Sequence, residues 1–234
     1  MMKYLYLLID SFTVIIPLLF SFHPKIKFYK EWKWFIPANM LTAALFIIWD
    51  IAFTKYGVWG FNKIYISGIY FYNLPVEEIL FFICIPYSCV FTYYCIYSFY
   101  RINRSTKVEQ LIILLLPFLL LITGIYFYSK LYTSSVFISL SAILLIIKYF
   151  LKKSWLAKLI IIYPLLLIPF FIVNGILTGS GLQQPVVWYN DHENLGLRLL
   201  TIPIEDIFYG FELILVNVFF FNVFKSTSRL SITL

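Results

Sequence analysis

Two pairs of adjacent carboxylates stand at the mouths of two apolar segments. The first is in Leu74-Pro75-Val76-Glu77-Glu78, followed by Ile79-Leu80-Phe81-Phe82; the second is in Ile202-Pro203-Ile204-Glu205-Asp206, followed by Ile207-Phe208-Tyr209. Acids at the end of a membrane helix are costly unless they do something. Apolar surroundings and a neighbouring like charge both favour the neutral acid over its anion. A neutral acid near an apolar molecule can deliver a proton, and its partner can hold or relay one. Glu77, Glu78, Glu205 and Asp206 are therefore the candidate catalytic groups, with Asp50 as a third acid at a helix end. Neighbours on a helix point about 100° apart, so one of each pair faces a common cavity squarely, and helix rotation decides which.

The elements that position these acids follow from composition. The chain has 234 residues, of which 62% are hydrophobic and 12% charged. A soluble domain carries about 25% charged residues, so this is the composition of a polytopic membrane protein. Seven apolar stretches reach the length that spans a bilayer: 4–20, 34–53, 75–99, 110–128, 132–150, 157–178 and 202–224. The first contains Asp10 and lacks both a basic leader and a small-residue cleavage pattern, so it reads as a helix rather than a signal peptide. Cys84, Cys89 and Cys95 share one span at spacings that no single helix can bridge, and they read as packing thiols.

Charge orients the spans. Thirteen basic residues fall on one side: Lys25, Lys27, Lys30, Lys33, Arg101, Arg104, Lys107, Lys148, Lys152, Lys153, Lys158, Lys225 and Arg229. Five fall on the other: Lys3, Lys55, Lys63, Lys130 and Arg198. The positive-inside rule places the N-terminus outside and the C-terminus in the cytoplasm. Of the acids, only Glu31 and Glu109 lie on the basic side; Asp10 and Glu212 lie within spans, and the rest collect at the opposite mouths. The net charge of +7 is spread as topology signals, and nothing in its distribution suggests nucleic acid.

The two acid motifs belong to a duplicated unit. Asn62 lies fifteen residues before Glu77, and Asn190 fifteen before Glu205. Aromatic residues precede both, in Trp59, Phe61, Trp188 and Tyr189, and a polar residue ends each preceding helix, Asp50 after Trp49 and Asn174 before Gly175. The expected organisation is a first repeat over 1–100 (helices 1–3), a connector with helix 4 over 101–131, and a second repeat over 132–234 (helices 5–7). Four helices separate equivalent elements, so the repeats run parallel through the membrane and both acid pairs emerge on one face. The predicted fold is all-α and polytopic, with seven transmembrane helices built from two parallel three-helix repeats and a connecting helix.

At these residues the chain resembles the membrane-integral bacterial lycopene cyclases, whose repeat occurs as separate subunits or fused in one chain. The resemblance rests on Trp49-Asp50, Val58–Phe61 and Pro75–Glu78 in the first repeat, and on Val187–Tyr189 and Pro203–Asp206 in the second. It covers nearly the whole chain in the fused form. It implies a lycopene β-cyclase-like intramolecular lyase of carotenoid biosynthesis, in a bacterial inner membrane, closing the linear ψ-end of lycopene or a related carotenoid to a β-ionone-type ring. It also implies a hydrophobic carotenoid and membrane lipid as partners, and association with other enzymes of the pathway. The second repeat departs from the first, with Asn174 in place of Asp50 and Asp206 in place of Glu78, so the halves need not play equal roles.

The residues suit that chemistry. Substrate and product are isomers, so the reaction needs a proton in and a proton out and no net electrons. The sequence has no dinucleotide fingerprint, P-loop or metal-ligand cluster, and the expected chemistry is cofactor-free. Trp49, Trp59, Phe61, Trp188 and Tyr189 are candidate aromatic faces for a cation. Asn62, Asn174, Asn190 and Glu212 are candidate polar contacts to the substrate; Glu212 lies seven residues, about two turns, after Glu205.

Plainer readings compete. Proline followed by acids is also an ordinary helix start, and Trp and Tyr near helix ends also serve as interfacial anchors. His192 reads as a surface residue. A proton-coupled transporter would use intramembrane acids within repeats, but here most acids lie at helix mouths. A prenyl-transferring enzyme would want Asp-rich diphosphate motifs with Mg²⁺, and no DxxxD occurs.

Overall fold

The computed structural model describes residues 2–99 and 107–230. Arg101 and Arg104, and the side chains of Lys107, Glu109 and Arg229, fall outside that description. Seven α-helices cross back and forth: α1 (Leu5–Phe20), α2 (Trp32–Tyr56), α3 (Val76–Phe99), α4 (Lys107–Tyr126), α5 (Leu131–Leu145), α6 (Trp155–Leu177) and α7 (Ile204–Leu230). A π-helical turn, Ile146–Phe150, extends α5. Among the described residues, six helices are long and apolar enough to cross a membrane, and the apolar part of α4, Gln110–Tyr126, is a shorter apolar helix. Little separates the helices by amphipathicity, because lipid and core are both apolar. Exposed large hydrophobics such as Phe12, Ile48, Leu119 and Ile172 mark the lipid side.

The helices form two halves of identical plan. In each, the second helix leads into a short strand, then a two-stranded hairpin, then the acid-bearing helix. The strands are β1 (Trp59–Phe61), β2 (Tyr70–Phe71) and β3 (Leu74–Pro75) in the first half, and β4 (Val187–Tyr189), β5 (Arg198–Leu199) and β6 (Ile202–Pro203) in the second. β1 and β4 pair antiparallel and tie the halves together at one end of the bundle. Gly60 faces Trp188 across this ribbon. These two residues hold equivalent positions, each two before the repeat's asparagine. A strand pair that aligns equivalents at its midpoint carries a local two-fold axis there. The flanking bonds obey it: Asn62 N–H donates to Val186 O at 2.8 Å and Asn190 N–H to Val58 O at 2.9 Å. Gly60 is required for closeness, since a Cβ there would lie 2.4 Å from the Trp188 ring.

The repeat extends to backbone detail. Tyr6 N–H donates to Tyr65 O and Tyr132 N–H to Glu193 O; Val76 N–H donates to Ile69 O and Ile204 N–H to Leu197 O. The ribbon end is also the end where α3 and α7 begin, so both acid pairs sit beneath it. At the opposite end, Lys225 of α7 bridges to Glu31 at 2.5 Å, fixing the last helix to the start of α2. In mid-bundle, Asn217 Nδ2–H donates to Asn39 Oδ1 at 2.8 Å between α7 and α2, while Asn217 Oδ1 takes no hydrogen bond among the described residues.

Candidate active site

The start of each acid-bearing helix fixes the two members of its pair in different directions. Glu77 Oε1 accepts the Ser67 backbone N–H at 2.6 Å, and Glu205 Oε1 accepts the equivalent Leu195 N–H at 2.7 Å. Glu205 Oε1 also accepts Thr133 Oγ1–H at 2.6 Å. Both outer acids are fully buried and brace the loop that returns to the hairpin. The inner acids, Glu78 and Asp206, turn the other way, into one cavity of about 530 Å³. The roughly 100° between neighbours is thus resolved identically in both repeats.

The tyrosines that meet the inner acids are also equivalent. Tyr6 O–H donates to Glu78 Oε2 at 2.6 Å, and Tyr132 O–H to Asp206 Oδ1 at 2.6 Å. Each comes from the first helix of its own repeat. Beyond that the halves diverge. Asp206 Oδ2 also accepts Asn174 Nδ2–H at 2.7 Å and Tyr189 O–H at 2.9 Å, so three donors converge on it. Glu78 Oε1 takes no hydrogen bond among the described residues. Three donors stabilise a carboxylate anion, whereas one donor in apolar surroundings does so much less. Tyr189 lies outside the spans, and burial followed by the Asp206 charge pushes its phenol well above the usual value, so it stays a donor.

Aromatic rings wall the same space. Trp59 packs against Tyr132 at 5.0 Å, and against Tyr189 and Tyr209 at 6.1 Å each. Tyr132 and Tyr189 stack at 6.0 Å. The remaining lining is largely aliphatic and aromatic, and it includes Phe12, Ile16 and Ile172, which face outward from α1 and α6. The cavity therefore opens sideways between α1 and α6, toward lipid. Gly210 of α7 lies on its wall, opposite Phe170.

Of the residues expected at the site, Glu78, Asp206, Asn174, Trp59 and Tyr189 come together in this cavity. Glu77 and Glu205 stand behind it. Asp50 is wholly buried and accepts the Trp59 indole N–H, so it reaches the site only through that ring. Trp49 is packed against Phe46, Phe53 and Tyr209, away from the opening. Phe61 and Trp188 belong to the ribbon. Asn62 and Asn190 form equivalent turns with the N–H of Ile64 and His192, and His192 is exposed. Glu212 is buried against Ser139 at 3.0 Å, between α7 and α5. Asp10 is buried between α1 and α3, and neither of its oxygens has a partner among the described residues.

Sequence reasoning missed Tyr6, Tyr132, Tyr163 and Tyr209, all of which line the cavity. A signal existed for two of them. Tyr6 and Tyr132 hold equivalent places at the start of the first helix in each repeat, and aligning the repeats over those helices exposes the pair.

Fold and site together define an all-α polytopic membrane protein, built from two repeats that share one acidic, lipid-open cavity. The comparisons with known proteins agree with this class. The lycopene cyclase family model matches residues 3–96 and 129–224, and the chain belongs to that family, with two copies of its repeat. No curated protein and no solved structure gives a significant match. Family membership supports carotenoid cyclisation as the general activity.

Proposed function

We propose that this protein closes the linear ψ-end of lycopene or a related carotenoid to a β-ionone-type ring by acid–base catalysis, with Glu78 as acid and Asp206 as base. The observation that carries the reading is the placement of both inner acids in one apolar cavity that opens to lipid. A cavity of about 530 Å³ suits one end of a long polyene, and the lateral opening leaves the rest along the lipid-facing surface.

The atoms balance without a co-reactant. Glu78 gives a proton to the terminal alkene carbon, leaving a tertiary cation. The second alkene attacks it, a ring C–C bond forms, and the charge moves to a ring carbon. Asp206 takes the neighbouring C–H proton, and the ring double bond forms. The faces of Trp59, Tyr132, Tyr189 and Tyr209 stabilise the cation while it moves. Asn174 holds the base in orientation, a role that the equivalent Asp50 could not share without adding a like charge. Asp206 must then lose its proton and Glu78 regain one before the next turnover.

The units that would carry this are residues 1–100 and 132–234, joined by the connector over 101–131. The distribution of basic residues supports a ribbon end outside and a C-terminus in the cytoplasm of a bacterial cell. The test is pigment formation in lycopene-producing cells with membrane levels matched. Glu78→Gln and Asp206→Asn should each lower cyclisation by at least about 10²-fold, the low end for a lost general acid or base. Full conversion by the Glu78→Gln/Asp206→Asn double variant would end this reading.

A further inference from the structure

The two hairpins carry a feature that the chemistry does not use. β2 and β3 are joined by a two-residue turn, Tyr72-Asn73, and β5 and β6 by Leu200-Thr201. The first turn residue has φ +59 in both copies. That left-handed backbone favours glycine, asparagine or aspartate. Here it is held by a tyrosine and a leucine, at a conformational cost, and at the same place in both repeats. The side chains so displayed are nearly bare: Tyr72 is 85% and Leu200 79% exposed. Ile69, Phe71, Leu197 and Leu199 beside them are exposed as well.

The second turn residue shows where the tips point. Asn73 Nδ2–H donates to Ile51 O at 2.9 Å, and Thr201 Oγ1–H to Gly175 O at 3.2 Å. Ile51 and Gly175 are equivalent, each directly after the polar residue near the end of its helix. Ile51 lies five residues before the end of α2, about 7.5 Å back along its axis, and Gly175 two residues before the end of α6, about 3 Å back. The hairpins thus fold back along the spans and do not project from the bundle. About one turn further along, Ile48 and Ile172 face lipid at 67% and 63% exposure, so each tip continues an apolar outer surface. Arg198 is the one charged residue in the two hairpins, and it is engaged by Asp191 and the Thr201 carbonyl.

We propose that the two tips are interfacial inserts: Tyr72 beside α2 and Leu200 beside α6 lodge at the headgroup–acyl boundary of the leaflet at the ribbon end. The amphipathic ring of Tyr72 favours that depth, and the apolar side chain of Leu200 gains by leaving water. Two such inserts, one per repeat, hold the ribbon and the acid-bearing helix ends at a fixed level in the bilayer. The proposal rests on the membrane fold and stands apart from the cyclisation chemistry.

The full-length Tyr72→Trp and Leu200→Trp variants, reconstituted separately in phosphatidylcholine vesicles, test it. The added tryptophan emission, taken as the difference from the unsubstituted protein, should be blue-shifted and should be lost when the lipid carries bromine near the top of its acyl chains. Bromine near the chain ends should quench it less. Emission unchanged by either lipid would mean that the tips meet water or a second protein copy, and would overturn the proposal. So would stronger quenching from the chain ends. Oxidative footprinting of the unsubstituted protein in the same vesicles covers the case of a variant that misfolds. Tyr72 should be protected there, and oxidation at the rate of a free tyrosine would refute the insert.

Discussion

The duplication creates two equivalent positions for a cavity; the molecule opens one and packs the other. On the first side, α6 stands off α3, and the space beneath Asn174 and Asp206 is the candidate site. On the second, α2 packs closely along α7, and the equivalent space is filled. The filling comes from a few residues. Phe82 and Gly210 each lie four residues after the inner acid of their repeat. Phe82 is buried against Phe46 at 6.0 Å, in a cluster with Ala43 and Leu213. Gly210 leaves its side of the wall bare, facing Phe170, the counterpart of Phe46. Trp49, plugged against Tyr209, corresponds to Val173 on the cavity wall. The same plan therefore encloses a site on one side and a core on the other, with side-chain volume and the spacing of the helices both differing between them. The halves share their plan, their outer acids and the tyrosine on each inner acid, and they differ in the further donors that Asp206 gains.

That contrast can be broken from the open side first. Gly210→Phe should fill the cavity as Phe82 fills its counterpart. Cyclisation in lycopene-producing cells should fall at least about tenfold, the scale of one misplaced hydrophobic contact of about 1–3 kcal/mol, while membrane levels stay at those of the unsubstituted protein. Retained activity would show that Gly210 does not guard the substrate space. From the closed side, Phe82→Ala should cost about 3 kcal/mol of stability, as for a buried phenylalanine truncated in a close-packed core, measured by unfolding in detergent. It should not create a second candidate site, because Asp50 is committed to Trp59 there. At the axis itself, Gly60→Ala should cost about 1–3 kcal/mol, the range for overpacking, as the new methyl displaces the Trp188 ring. Its signature would be a changed Trp188 environment with the acids still in place.

The smallest effect concerns the asymmetry of the loops. Slight burial pushes the Asp191 carboxyl up, but hydrogen bonds from Arg198 and Asn194 and the Arg198 charge outweigh this and hold it below the ordinary value. A carboxyl lowered in the folded state stabilises above its unfolded value, and that stabilisation is lost as pH falls through the folded one. The pair is solvent-exposed, so the contribution is small. Asp191→Asn should slightly flatten the acid side of the stability–pH curve. The first repeat offers no matching effect, because Lys63 stands at the position equivalent to Asp191 and Tyr70 at the position equivalent to Arg198.

The sequence made much of this legible. Span length, the matched distance from Asn to acid, and the acid pairs themselves are one-dimensional signals, and the lycopene cyclase resemblance followed from their order. The identity of the inner acid was hidden because it depends on the rotation of α3 and α7, which is set by what each helix packs against. Asp10 was visible as an acid in a span, yet its lack of a partner among the described residues is a fact of three dimensions. Trp49 and Trp59 looked alike as aromatics near a helix end. One became a plug and the other a cavity wall, since only the packed bundle distinguishes the two sides.

The β1–β4 ribbon has a consequence for how the molecule is made. It joins a strand that follows the second helix to one that follows the sixth, so it cannot form until most of the chain has been delivered to the membrane. Contacts between segments so distant in sequence are slow to close. Until they do, Glu78 has Tyr6 but no Asp206 across from it. The two inner acids therefore come together only late, and a half-synthesised chain holds the first pair alone.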